Sequence, residues 1–430
     1  MSNARQILIR NGRLIDPANA IDTVTDIYIA DKRILAIGEQ PEGFVPGRVI
    51  DATNKIVCPG LVDLSARLRE PGLEHKANIG SETKAAAKGG ITTLCFPPDT
   101  DPVIDTPAVA TLVIRRAQRE RNARVLPYGA MTQGLAGEQL SEMVALKRAG
   151  CIAVTNAYMP IANTLIERRA LEYAATFGII AVLRPEDRHL RDNGCAHEGP
   201  VSSRLGLPAI PEAAETVAVA RDIALAEHTG CHVHFRSLSS GTAVRILEQG
   251  QQNRLPVTAD VAVHQLHLTE MDIEGFDSNC HVQPPLRSLT DRDALRSGLA
   301  KGVIGAICSD HQPHEPDAKE APFPATEPGI SGLETLLPLT LKLVDEGVMP
   351  LTTAIARLTC GPADIMGLPY GRLNTGASAD ICIFDPDKHW IVTPQNLISA
   401  GHNTPFLGWE LTGEVTHTLF EGNIVFERKE

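Results

Sequence analysis

Eight short apolar runs recur along the middle of the chain, at residues 60–66, 90–96, 123–130, 151–157, 178–184, 231–237, 256–263 and 303–310. Each is rich in Val, Ile, Leu or Cys and is continuous rather than alternating. That is the pattern of a parallel strand covered on both faces. Amphipathic stretches lie between the runs, at 107–122, 139–149, 164–176, 211–228 and 240–250. Strand and helix in alternation predict an α/β fold. Eight such units predict a (β/α)8 TIM-type barrel, here over residues 59–368, with its site at the C-terminal ends of the strands.

The flanks follow a different pattern. Residues 1–58 and 369–430 carry short strands joined by turn sequences such as RNGR and EGN. The two ends are expected to pair into one small β-sandwich domain beside the barrel. The sequence shows no low-complexity segment, coiled-coil heptad or solenoid repeat.

Composition narrows the classes open to the chain. With 43% hydrophobic and 21% charged residues over 430 positions, a large core needs no staple. A net charge of -12 and the lack of a basic stripe argue against a nucleic-acid partner. No run of 18 apolar residues offers a membrane span. The N-terminus lacks the apolar stretch of a secretory signal, so a cytoplasmic protein is expected. The nine cysteines form no C-x-x-C and fall mostly in strand-like runs, which reads as buried reduced thiols. Fourteen histidines suggest metal chemistry until their positions are considered.

Six segments, in order, carry a resemblance: LVDLSARLREPGLEHK (61–76), GGITTLCFPPDTDPV (89–103), SDHQPH (309–314), GISGLET (329–335), GRLNTGASADICIFDPD (371–387) and NTPFLGWELTGEV (403–415). Together they resemble dihydroorotase, within the cyclic amidohydrolases. The resemblance implies a metal-dependent hydrolase barrel with a β-sandwich built from both termini. It also implies opening or closing of the cyclic amide dihydroorotate in pyrimidine synthesis, with metals activating water and polarising the carbonyl.

The chain departs from that family where its chemistry resides. The family's D-x-H-x-H after strand one reads Asp63-Leu64-Ser65-Ala66-Arg67 here, so two histidine ligands have become Ser65 and Arg67. The bridging carboxylate or carbamylated lysine of strand four aligns with Asn156. The strand-five histidine aligns with Arg184, and the strand-six histidine with Ser237. Only Asp310, ligand and proton shuttle in the family, is retained. Serine is a poor neutral ligand, and arginine is a permanent cation with no acceptor. No metal is therefore expected. A shift in alignment would recover His232 or His234 as a ligand, leaving one zinc on Asp310 and His234. Of the residues that grip substrate in the family, Arg69 and His314 match. Asp99 and Gln283 stand where the family has Asn, and Asp99 would repel the substrate carboxylate.

Each residue also has a plainer reading. Asp310 reads equally as a loop cap, His311 and His314 as loop histidines, and Arg69 as a partner of Glu70 or Asp63. Arg67 and Arg184 need more, because a cation pointing into a barrel is costly unless paired. With metal gone, guanidinium charge is expected to neutralise the buried anion. That places Arg67 or Arg184 in hydrogen-bond range of Asp310, Glu186 or Asp187.

Three functional readings follow. The resemblance implies first a non-catalytic dihydroorotase-like subunit supporting assembly of aspartate carbamoyltransferase, and forming a homo-oligomer, as a dimer or within a larger complex. The second is an active dihydroorotase or related cyclic amidohydrolase with an atypical metal site. The third is a scaffold protein unrelated to pyrimidine synthesis.

Overall fold

The computed structural model describes residues 6–429. The eight expected runs are its eight barrel strands, in chain order: Leu61–Asp63, Ile91–Phe96, Arg124–Pro127 with Gly129–Ala130, Ala153–Thr155, Ile180–Leu183, Val233–Phe235, Val257–Ala262 and Ala306–Cys308. Neighbours pair in parallel around the ring. The third strand breaks at Tyr128, whose hydroxyl donates to the Leu64 carbonyl at 3.0 Å. The ring closes through one short bridge beyond the strands: the Arg67 amide donates to the His311 carbonyl and the His311 amide to the Ser65 carbonyl. The seam thus lies at the site end of the barrel.

The five amphipathic stretches form helices Pro107–Glu120, Met143–Arg148, Thr164–Thr176, Ala213–Thr229 and Gly241–Gln252. Helices Ile79–Lys88, Leu289–Lys301 and Leu336–Asp345 lie elsewhere around the barrel. Their starts follow capping chemistry. Asn78 and Ser81 cap reciprocally ahead of Ile79, and the Ser240 and Ser288 side chains accept amides at 3.2 Å from Ala243 and Asp291. A small parallel pair, Ala196–His197 with Ala209–Ile210, sits in the excursion after strand five.

The two ends of the chain build one mixed sheet. Strands Gln6–Asp16, Ile21–Ala30, Arg33–Ile37, Arg48–Asp51 and Ile56–Pro59 join Ile381–Ile391, Glu410–Phe420 and Asn423–Glu427. Hydrogen bonding connects all eight strands rather than leaving two separate sheets. The central strand is Ile56–Pro59, parallel to Arg13–Leu14 on one side and antiparallel to Ile381–Phe384 on the other. Ile9, Leu14, Ile27, Ile29, Val57, Ile381, Ile383 and Leu419 make its private core. Alternation in these strands places such residues on one face.

Sheet and barrel lock together tightly. Arg124 at the start of strand three pairs with Asp380 at 2.8 Å, and the Thr418 hydroxyl donates to the Ala87 carbonyl at 2.6 Å. Gly90 (φ +81) turns the chain into strand two, where a Cβ would lie 2.5 Å from the Cys382 sulfur. Eight of the nine thiols are buried, Cys360 is partly so, and none is bonded to another. Among the described residues no helix is long and apolar enough to cross a membrane.

Candidate functional site

The strand-one end supplies the floor of the barrel mouth. Asp63 is fully buried and accepts the Ser309 amide at 3.0 Å, the Ser309 hydroxyl and the Ser65 amide at 3.3 Å. Burial still pushes its carboxyl up to about 6. Ser65 donates its hydroxyl to Asp310 Oδ1 at 3.0 Å. Two residues on, Arg67 is 2% exposed. Its Nε donates to Asp99 Oδ2 at 2.7 Å, and its Nη1 lies 3.5 Å from Asp310 Oδ1.

Asp310 stands at the centre, in the left-handed backbone region (φ 43) immediately after strand eight. A non-glycine residue pays about 1 kcal/mol or more for that conformation. Here the neighbouring Ser309 and His311 amides and the Ala66–His311 bridge impose it. The carboxylate takes Arg236 Nη2 at 2.7 Å and the Ser65 hydroxyl on Oδ1, and Gln312 Nε2 at 3.3 Å on Oδ2. The Tyr158 hydroxyl lies 3.1 Å from Oδ2. Burial would raise its pKa, but Arg236 and then Arg67 outweigh that and hold it below the usual aspartate value.

Tyr158 organises the remaining cations. The Arg67, Arg184 and Arg236 guanidinium carbons lie 4.1, 4.3 and 5.3 Å from its ring centroid. These are cation–π distances, and burial strengthens each contact. The phenol oxygen accepts Gln312 Nε2 at 2.7 Å and sits 3.3 Å from the Gln283 carbonyl. Gln283 therefore serves the mouth through its backbone.

The other substituted positions divide. Arg184 donates to Glu186 Oε2 at 2.7 Å, both buried at the barrel mouth. Ser237 (φ 52) gives its amide to Asp260 at 2.6 Å, and its buried hydroxyl has no partner. Asn156 faces away from Asp310 in its bonding. Its amide accepts the Thr132 hydroxyl at 2.7 Å and donates to the Leu135 and Met159 carbonyls at 3.0 and 2.6 Å. His234 donates Nε2–H to Asp260 at 3.0 Å and accepts the Thr258 hydroxyl at 2.9 Å, while His232 lies 3.5 Å from the same hydroxyl. Neither histidine joins Asp310 in a ligand set, so the shifted alignment gains nothing.

On the rim, Arg69 Nε donates to the Pro313 carbonyl at 3.0 Å, and its Nη2 is 3.1 Å from the His314 ring. Burial and the neighbouring Arg67 pull Arg69 down to about 10. His314 is held neutral by burial and by Arg69 and Lys76 beside it. Asp99 lies against Arg67, and its charge is neutralised there instead of facing the mouth alone.

The tail segments brace this rim. Glu334 of GISGLET accepts the Ile398 and Ser399 amides at 2.9 and 3.0 Å. Asn403 of NTPFLGWE accepts the His314 amide at 2.8 Å and donates to the Gln312 and Gly329 carbonyls. His311 is spent on Glu82 at 2.8 Å, which also takes the Ser399 hydroxyl. These residues hold the loop carrying Asp310.

The family's divalent metal was tested against this donor set, and the residues do not fit it. Among the described residues, no three His, Cys, Asp or Glu side chains gather as a metal site. The one retained carboxylate is already bonded by a guanidinium, and two further guanidiniums occupy the space a cation would need.

Two residues at the heart of the site escaped the sequence reading. Asp310 takes its hydrogen-bonded cation from Arg236, not from Arg67 or Arg184. Arg236 sits two positions beyond inward-facing His234, so strand periodicity alone placed it in the mouth. Tyr158 lies three residues beyond strand four, past left-handed Ala157 (φ 50), where that periodicity no longer runs. The family motif gives neither residue a role.

A dihydro-orotase-like family model matches residues 54–242, and an amidohydrolase family model matches residues 190–425. The chain is 51% identical over 421 residues to a dihydroorotase-like protein of Pseudomonas aeruginosa, covering 98% of this chain and 99% of that one. It is 50% identical to a dihydroorotase-like protein of Pseudomonas putida, covering 97% and 98%. It is 43% identical to a dihydroorotase of Geobacter sp. strain M21, covering 98% and 99%. Among solved structures, an L-hydantoinase (dihydropyrimidinase) from Arthrobacter aurescens superposes with a TM-score of 0.88 at 24% identity, covering 99% and 96% of the two chains. A likeness at that identity speaks for the fold alone.

Proposed function

The chain belongs to the dihydroorotase-like amidohydrolase family, and we propose that it is a non-catalytic member kept for assembly with aspartate carbamoyltransferase. The observation that carries the loss of catalysis is the occupation of the mouth. Arg67, Arg184 and Arg236 surround Tyr158, and Arg236 is bonded to the one family ligand that survives. A hydrolase of cyclic amides needs a water poised and activated beside a polarised carbonyl. Here the candidate base, Asp310, is held ionised but covered by four donors.

Retention of parts without reaction chemistry supports the assembly role. Glu334, Asn403 and the terminal sheet maintain shape and surface while five ligand positions have changed. The partner itself, and a homo-oligomeric state, rest on the family resemblance. Co-purification tests the partner: tagged protein drawn from its own cells should retain the transferase, and repeated failure to do so removes this reading.

A second reading has an observation of its own. Relatives 41–43% identical over nearly the whole chain bear the plain name dihydroorotase. An active enzyme would show dihydroorotate turnover by purified protein. Turnover together with about one metal per chain would favour this reading, and zero in both assays would leave only the scaffold readings.

A further inference from the structure

The guanidiniums of the mouth carry more donors than their partners accept. Arg67 Nη1 and Nη2, Arg184 Nη1, and Arg236 Nε and Nη1 are all buried without a hydrogen-bond partner. Their residues are 2%, 7% and 2% exposed. All three surround one ring at 4.1–5.3 Å, so the unpartnered nitrogens converge on one place rather than scattering through the barrel. Arg69 adds a fourth cation whose bonds run to a carbonyl and an imidazole, not to a carboxylate.

A phenol ring attracts cations but accepts few N–H groups well. What satisfies several converging guanidinium forks is an oxyanion, by bidentate charge-assisted bonds. Tyr158 fills that space and comes from a partly exposed loop, next to Met159 at 52% exposure. Three contacts tether its hydroxyl, to Asp310, Gln312 and the Gln283 carbonyl. We infer that the barrel mouth is a binding site for a small oxyanion, a carboxylate or phosphate, gated by the Tyr158 ring. The anion would sit on Arg67, Arg184 and Arg236, at positions where the family places metal ligands and their neighbours. The inference goes beyond the assembly role, and neither depends on the other.

Titration calorimetry on the full-length chain tests it, with inorganic phosphate and malonate as separate probes. Wild type should bind weakly, because the ring must leave. Tyr158→Ala should bind one of the two probes at least tenfold more tightly, and which one distinguishes a tetrahedral from a planar ligand. Adding Arg184→Gln to that variant should cost at least tenfold. Tyr158→Phe keeps the ring but frees it from Asp310, and should show a smaller gain if Tyr158→Ala does not fold. Ungated variants that bind no tighter than wild type would overturn the inference, as would binding unchanged by Arg184→Gln.

Discussion

Arg236 donates one nitrogen, Nη2, to both Asp310 at 2.7 Å and Ser65 at 2.8 Å, joining strand six to strands eight and one across the barrel mouth. Both charged side chains are 2% exposed. An ion pair this deep draws little net stability from its own attraction, since both charges have left water. Its importance is that neither member can be removed alone.

Arg236→Met should therefore destabilise the protein by about 3–5 kcal/mol, because Asp310 would remain buried with only Arg67 nearby. Adding Asp310→Asn should recover more than half of that loss. Urea denaturation of the two variants and wild type checks both numbers. A single-variant loss below about 1 kcal/mol would show that Arg67 already suffices.

Restoring the bridging position of strand four should damage rather than repair. Asn156→Lys removes three hydrogen bonds that tie Thr132, Leu135 and Met159 together. Leaving those groups short of partners should cost about 2–4 kcal/mol. Metal content measured after zinc loading should stay below one per chain. A variant as stable as wild type that takes up zinc would reverse this account of Asn156.

Zinc should not stabilise the native protein. A ligand that binds the folded state tightly raises its melting temperature by mass action. With no ligand set at Asp310, saturating zinc and a chelator should give melting temperatures within a degree or two of each other. A rise of more than a few degrees would reveal a site the donor geometry does not predict.

Acid should unfold the chain partly through His267. Burial, only partly offset by its bond to the Leu339 carbonyl, pulls this ring down to about 4 from 6.5. The unfolded state then binds more protons than the folded one between those values. The contribution is whole above pH 6.5 and is lost as pH falls toward 4. His267→Gln can still donate to Leu339 but cannot titrate. Across that window it should lose less stability than wild type, by about 3 kcal/mol. Equal slopes for the two proteins would place the acid sensitivity elsewhere.

Much of this was legible in the residues. The eight apolar runs mark the barrel strands because burial on both faces leaves no alternation to confuse them. The substitutions at Ser65, Arg67, Arg184 and Ser237 were visible against the family motif. Arg184 meets Glu186 as charge balance requires. The replacement network was not legible. Which cation faces Asp310 depends on side chains from strands one, five and six meeting above the sheet, and sequence spacing does not encode distance across a barrel. Arg67 does reach Asp310, at 3.5 Å, but its shortest bond goes to Asp99, whose charge it offsets. Asn156 matched a bridging position by order along the chain, yet its amide is committed to its own loop.

The strand Ile56–Pro59 has neighbours from opposite ends of the polypeptide. On a ribosome, its second edge stays open until Ile381–Phe384 has been made. Val57 and Cys58 wait there beside an unfinished barrel, and an exposed apolar strand edge invites pairing with a stranger. The sheet is thus completed only after the last barrel strand has been made. A product clipped before Ile381 should fall to chaperones and proteases instead of persisting as a barrel with an open sheet.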